Sequence, residues 1–236
     1  VGARTDRVDK VAMADRGVAS PIDGAEPATG GRGRLFASCG KPLPGYRVEI
    51  RDEKGRLLPE RRVGDVFVTG PSLMDGYHAQ PETTRQCIGE DGWLDTGDMG
   101  YLADGRLFIT GRRKDMIIVK GRNIWPQDLE WHVDREVPGL RSGDTAAFGH
   151  ESEDGHEIAV ILVQCRVSDE GRRESLRKEV SSVISRNCSI SCRVELIPPR
   201  ALPFTTSGKL IRTRARQRWL EGAYDCPEPR EEIAVS

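Results

Sequence analysis

The stretch Gly111-Arg-Arg-Lys-Asp-Met-Ile-Ile-Val-Lys-Gly-Arg-Asn123 is where the chain changes character. Met116 to Val119 reads as a short buried strand with basic residues at both ends, so charge is held at a junction between two modules. Taken alone, the same stretch is also what a solvated linker looks like. Upstream of it the pattern is β. Tyr46, Val48 and Ile50 alternate with Arg47, Glu49 and Arg51, the period of a half-buried strand. Asp52-Glu-Lys-Gly55 follows as a turn, and Asp65 to Gly70 reads as a second strand. Trp93 to Leu102 and Arg106 to Thr110 read as a hairpin around Ala103-Asp104-Gly105. Short strands parted by Gly and Pro turns predict a small β-barrel or sandwich over residues 35–111. Residues 1–34 mix Arg, Asp, Gly and Pro without a sustained period and are expected to be loop-rich.

Downstream the texture is mixed. Pro126-Gln-Asp-Leu-Glu130 has the signature of a helix start, with Pro in the first turn and carboxylates where the helix dipole favours them. Leu129, Val133 and Val137 then recur at helical spacing. Ile158 to Val163 is a continuous apolar strand, and Leu176, Val180, Val183 and Ile184 form the inner face of a second helix. Val194 to Ile197 is another strand, stopped by Pro198-Pro199. A last helix is expected from about Leu210 to Leu220, with Ile211, Ala215 and Trp219 on one side. The fold class is therefore α+β, a β subdomain at 35–111 followed by an α+β module at 112–221. Residues 222–236, with Pro227 and Pro229, are expected to be a flexible tail.

Composition narrows the function classes. Among 236 residues, Lys+Arg is 36 and Asp+Glu 37, a net charge of -1, which excludes a protein whose overall charge targets nucleic acid or an anionic membrane. The apolar run from Ile158 to Val163 is far too short to span a bilayer, so no membrane span is expected. Six cysteines form no C-x-x-C pair, and reduced thiols in a cytoplasmic protein are the simplest reading. His150 and His156 flank Glu151, Glu153 and Asp154, but Ser-Glu-Asp-Gly between two β-like runs is a turn before it is a metal site. The chain opens on Val1 with no initiator Met, signal peptide or transit pattern, and reads as the tail of something longer.

Three clusters carry chemistry. Trp93-Leu-Asp-Thr-Gly-Asp98 offers an exposed carboxylate at Asp98, behind a Gly that permits a tight backbone; two hydroxyl donors of a cis-diol such as ribose match it. By itself it is an ordinary hairpin end. In the junction stretch, Arg112 has the forked geometry that grips nucleotide oxygens. The third cluster, Pro203-Phe-Thr-Thr-Ser-Gly-Lys209, is superficially like a phosphate loop. That motif needs Gly at position 203 and Ser or Thr at 210, where Pro203 and Leu210 stand. What remains is a flexible loop able to swing one long cation, Lys209, into a site. Arg212, Arg214, Arg216 and Arg218 make the final helix basic, but with no interleaved aromatics nucleic acid is not the expected partner.

Together and in this order the clusters resemble the adenylate-forming superfamily: acyl-CoA synthetases, luciferases, nonribosomal-peptide adenylation domains and fatty acyl-AMP ligases. The run Gly64-Asp-Val-Phe-Val-Thr-Gly70, Gly76-Tyr77, Gly92-Trp-Leu-Asp-Thr-Gly-Asp98, Gly111-Arg112, Lys120-Gly121, Thr206-Ser-Gly-Lys209 is similar to that family's closing series of motifs, over roughly residues 35–220. Gly121-Arg-Asn-Ile-Trp-Pro-Gln-Asp-Leu-Glu130 looks most like the fatty acyl-AMP ligases, and the polar stretch before residue 35 lies where those ligases carry an extra segment.

The resemblance implies the C-terminal portion of such an enzyme, ending in a mobile lid. It implies that Asp98 binds the ribose hydroxyls of ATP, Arg112 assists at ribose and phosphate, Lys114 is the hinge of the lid, and Lys209 reaches the reacting carboxylate and α-phosphate. Lys120, Gly121 and Asn123 would contact the acyl-adenylate or serve the second step. ATP and Mg²⁺ are the implied cofactors, the magnesium ligand and phosphate loop lying upstream of this chain. A fatty acid is the implied substrate, and the phosphopantetheine of an acyl carrier protein the acceptor. CoA is the acceptor in the alternative, an acyl-CoA synthetase. In many CoA ligases a Lys stands four residues after the hinge, whereas here it is Ile118, which favours an enzyme that does not use CoA well. A rival of another class, a non-catalytic module that docks a carrier protein, has no need of Asp98, Arg112 and Lys209.

Overall fold

The computed structural model describes residues 4–22, 33–152 and 155–224, which divide into two compact units. The first holds the chain up to Met116 together with Gly121–Asn123; the second holds Ile117–Lys120 and everything from Ile124 on.

In the first unit, β1 (Thr5–Asp9), β2 (Gly33–Gly40), β3 (Arg47–Arg51), β4 (Gly64–Thr69), β5 (Leu94–Ala103) and β6 (Arg106–Arg112) form one antiparallel sheet in the order β1-β2-β6-β5-β4-β3. This corrects the expected barrel or sandwich. Among the described residues β1 and β3 are free edges and the sheet stays open. Short strands and tight turns are common to open and closed antiparallel sheets, and closure depends on edge pairing that residue pattern does not encode. The β5–β6 hairpin turns at Asp104 and Gly105, both with positive φ (52° and 67°), the type I′ geometry that suits strand twist.

Residues 5–16, expected to be loop, instead form β1 and the helix α1 (Lys10–Arg16). Asp9 caps the helix by accepting from Val11 N and Ala12 N (2.9 and 3.1 Å), and Gly17 ends it at φ 62°. Val8, Met13 and Ala19 are buried with Phe36, Tyr101, Ala103 and Phe108. Tyr101 lies flat on Phe108 at 5.1 Å and edge-on to Phe36 at 6.0 Å, and its hydroxyl donates to Asp6 at 2.8 Å. A second short helix, α2 (Pro81–Cys87), precedes β5.

Two three-residue strands, β7 (Ile117–Val119) and β8 (Arg122–Ile124), lie where the chain passes between units. Ile117 and Val119 are buried as expected of a core strand, but Ile118 between them is 46% exposed. In the second unit, β9 (Thr145–Glu151), β10 (Glu157–Gln164) and β11 (Cys192–Ile197) make a sheet with β10 central, antiparallel to β9 and parallel to β11. Helices α3 (Pro126–Glu136) and α4 (Glu170–Cys188) bury Leu129, Val133, Val180, Val183 and Ile184 in one core with Ala147, Ala159, Ile161 and Val163. The other sheet face, with Phe148, Val160 and Leu162, packs with Ala215 of α5 (Arg212–Leu220). Because helices cover both faces, every position of β10 from Ala159 to Val163 is buried, which is why it reads as an unbroken apolar run. Residues 225–236, most of the expected tail, lie outside the described residues, as do Glu153 and Asp154.

Candidate functional site

Asp98 sits in a bulge in β5 rather than at the end of a hairpin. Asp65 pairs with Met99 and Phe67 with Asp95, so Thr96, Gly97 and Asp98 together oppose the single residue Val66. Such an insertion bends a strand and re-aims its side chains. Local bonds hold it: Thr96 Oγ1 donates to Val66 O at 2.8 Å and accepts from Asp98 N at 3.1 Å, while Gly97, at φ 71°, donates its N–H to Asp95 Oδ1 at 2.9 Å. Arg112, at the end of β6, is the cross-strand partner of Asp98, and its Nε lies 3.2 Å from Asp98 Oδ1. The Arg112 side chain is 70% exposed and that of Asp98 31%, so the pair is open to an incoming ligand. A carboxylate beside a guanidinium offers acceptors for hydroxyls and donors for phosphate or ring oxygens.

Residue reading missed Arg113. Its Nη1 reaches Asp65 Oδ2 at 2.9 Å and its Nη2 reaches Asp95 Oδ2 at 2.7 Å, bridging β4 to the base of the bulge. Burial raises the Asp65 carboxyl above its ordinary range, against the opposing pull of Arg113. The bond to Asp95 raises the affinity of Arg113 for its proton, keeping it a cation. The charge run was visible in the sequence, but nothing in it distinguishes an Arg that faces solvent from one that finds two carboxylates.

Lys114 is exposed within a single 3-10 turn, Arg113–Asp115. Lys120 and Gly121 are exposed at positive φ (52° and 75°), a two-residue turn between β7 and β8, and Asn123 is partly buried in β8.

Lys209 lies in the second unit, exposed, at the end of the loop before α5. That loop is tighter than the flexible swing expected. Thr205 N donates to Lys209 O at 2.8 Å, Gly208 N to Thr205 O at 2.9 Å, and Lys209 N to Thr205 Oγ1 at 2.9 Å. Phe204 and Leu210 bridge at its base, and Gly208 takes φ 79°. The backbone is thus a closed hairpin, and the reach comes from the lysine stem. Two of the basic residues that follow are engaged: Arg216 Nε donates to Gly149 O at 3.1 Å, and Arg218 Nη1 to Ala201 O at 3.0 Å.

Comparison with known proteins shows what these parts are similar to. Residues 18–78 match the family model described as AMP-binding enzyme. A protein of Caulobacter vibrioides provisionally named an acyl-CoA synthetase is 49% identical over 193 residues, covering 82% of this chain. The chain is similar over most of its length to part of the adenylate-forming ligases. A medium-chain-fatty-acid–[acyl-carrier-protein] ligase of Moorena producens is 35% identical over 211 residues, covering 85% of the chain. A solved structure from work on fatty acyl-adenylate ligases of E. coli and L. pneumophila superposes with a TM-score of 0.79 and 40% identity, covering 94% of this chain and 38% of that one. The chain spans only 34% and 36% of the length of the two curated relatives. Adenylate-forming ligases use ATP and Mg²⁺. Among the described residues no group of three or more His, Cys, Asp or Glu is gathered to hold a metal ion. Among them, too, no helix is long and apolar enough to cross a membrane.

Proposed function

We propose that this chain is the C-terminal part of a cytoplasmic fatty acyl-AMP ligase. The whole enzyme adenylates a fatty carboxylate with ATP, releases pyrophosphate and passes the acyl group to the phosphopantetheine thiol of a carrier protein. The observation that carries the reading is the 40% identity, spread over 94% of the chain, to a solved structure from work on fatty acyl-adenylate ligases. In this reading residues 1–34 are a ligase-specific segment, 35–111 close the large N-terminal domain, and 112–221 are the lid, turning about Lys114.

The chemistry asks two anions to meet, a carboxylate and the α-phosphate, at about 3 Å. Asp98 accepts the ribose hydroxyls and so fixes the nucleoside, while Arg112, released from or shared with Asp98, steers the ribose and phosphate oxygens. Lys209 supplies an ammonium between the reacting groups, offsets their repulsion and stabilises the charge that builds on phosphorus. Its closed hairpin is suited to this, because a preorganised donor needs no reordering as the reaction proceeds. Lys120, Gly121 and Asn123 are placed here as contacts for the acyl-adenylate or the second step.

The test is acyl transfer by the full-length enzyme, given ATP and a fatty acid, to either a holo carrier protein or free CoA. Carrier thioester with little acyl-CoA is the expected result. Rapid acyl-CoA formation would instead establish the second reading, an acyl-CoA synthetase, which the 49% identity to the Caulobacter vibrioides protein favours. Carrier binding with no acyl-AMP at all would leave the docking module.

A further inference from the structure

We propose that Arg113 is a positioning residue for the nucleotide: by bridging Asp65 and Asp95 it locks the β5 bulge that presents Asp98. The proposal rests on Asp98 being the ribose ligand, and it adds a residue to which no role in the reaction has been given above.

Asp95 has two tasks. Its Oδ1 accepts from Gly97 N at 2.9 Å, the bond that closes the bulge, and its Oδ2 is held by Arg113 Nη2 at 2.7 Å. Gly97 stands at φ 71°, where a glycine has many alternatives, so the Asp95 bond selects one of them. If Asp95 turns away, Asp98 loses its aim.

What keeps Arg113 in place is Asp65. That side chain is only 9% exposed, and its Oδ1 is buried with no hydrogen-bond partner. A buried carboxylate satisfied at one oxygen depends strongly on its cation, because removing one partner of such a pair leaves the other charge uncompensated. Asp65 therefore anchors one arm of the guanidinium on β4, and the other arm holds Asp95. The rigid fork of Arg spans both carboxylates at once, which the single ammonium of Lys does poorly. Without the cation, Asp65 and Asp95 would also repel each other beneath the bulge.

The experiment uses the full-length enzyme with Arg113→Gln and Arg113→Lys. Hydrogen exchange, read by mass spectrometry on the peptide spanning residues 94–99, is expected to speed up at least about tenfold in Arg113→Gln while the β6 peptide is unchanged. In fatty-acid-dependent pyrophosphate exchange, KM for ATP is expected to rise at least about tenfold with kcat held within about threefold, the pattern of lost ligand positioning. Arg113→Lys is expected to fall between wild type and Arg113→Gln in both readouts, and serves alone if the Gln variant does not fold. Unchanged exchange of the bulge in a folded variant, or kcat falling with KM unmoved, would overturn the proposal. Absence of fatty-acid-dependent exchange in the wild type would refute the ligase reading instead, because the bulge measurement needs no activity.

Discussion

Glu130 and Arg212 meet in a two-pronged ion pair, with Arg212 Nε 2.8 Å from Glu130 Oε1 and Nη2 2.5 Å from Oε2. The pair is largely buried, at 12% and 16% exposure, and Glu130 Oε1 also accepts from Ala147 N at 3.0 Å. One side chain thereby ties α3 and β9 to the first residue of α5, three residues after Lys209. Arg212→Ala leaves Glu130 as an uncompensated buried charge and is expected to cost about 3–5 kcal/mol. Paired replacement, Glu130→Gln with Arg212→Met, should lose distinctly less. Denaturant unfolding of the two variants beside the wild type checks the order, and equal losses would show that the pair does not act as a unit.

Lys209→Ala should reduce acyl-AMP formation by about 10²–10³-fold, the usual result of deleting one preorganised donor at a reacting centre. The fold should not change, since Lys209 is exposed and its loop is closed by backbone groups and the Thr205 hydroxyl. Carboxylate-dependent pyrophosphate exchange by the full-length variant is the measurement. Exchange at the wild-type rate would remove Lys209 from the chemistry.

For Asp98→Asn the expected change lies in nucleotide affinity. Two hydrogen bonds to a carboxylate weaken, at about 1–3 kcal/mol for bonds to a charged group, so KM for ATP in the full-length enzyme should rise about tenfold to a hundredfold. Stability should change little, because the ion pair it breaks has an Arg112 side chain that is 70% exposed. A variant with unaltered KM would show that ribose is held elsewhere.

The second unit carries a pH-dependent link between α3 and α4. Burial alone would raise the Glu136 carboxyl, but hydrogen bonds from Arg186 (2.7 Å), His132 and Asn187 more than reverse this and hold it below its ordinary 4.5. A carboxylate favoured by the folded state contributes stability that is complete above its unfolded pKa and is lost as pH falls through the folded one. Glu136→Gln should therefore be less stable than wild type by about 1–2 kcal/mol near neutrality. The gap should stay level down to about pH 5 and close below 4.5, as urea midpoints measured across pH would reveal. A gap that persists unchanged at acid pH would assign the loss to packing.

Much of the fold was legible because period reports burial. Tyr46 to Arg51 alternates, and Arg47–Arg51 is a strand with Ile50 buried and Val48 half-buried on one face; Leu129, Val133 and Val137 recur at helical spacing and all three are in the core. The helix at Lys10–Arg16 was equally signalled, by Asp9 at its start and Gly17 at its end, but it is only seven residues long and lies in a polar stretch, where a periodic pattern has no room to develop. For the site, Asp98, Arg112 and Lys209 were marked by residue type and order, since exposed chemistry-bearing side chains next to glycines in a fixed series are a property of the sequence. Their settings were not. That Asp98 stands on a bulge depends on which β4 residues lie across from it, and that the Lys209 loop is closed depends on bonds among its own turns.

The sequence by itself determined the two textures meeting at Gly111, the apolar faces of the helices and strands, and the cations and carboxylates available for nucleotide chemistry. All of these follow from residue type and local spacing. Only the tertiary structure decided that the β portion is an open sheet, that Asp9 and Tyr101 with Asp6 knit the first residues onto it, and that Arg113, unremarkable among Arg112 and Lys114, is the cation clasped by Asp65 and Asp95. Those outcomes depend on strand register and on charges brought together from residues 65, 95 and 113, where burial makes the choice of partner costly to leave unmade.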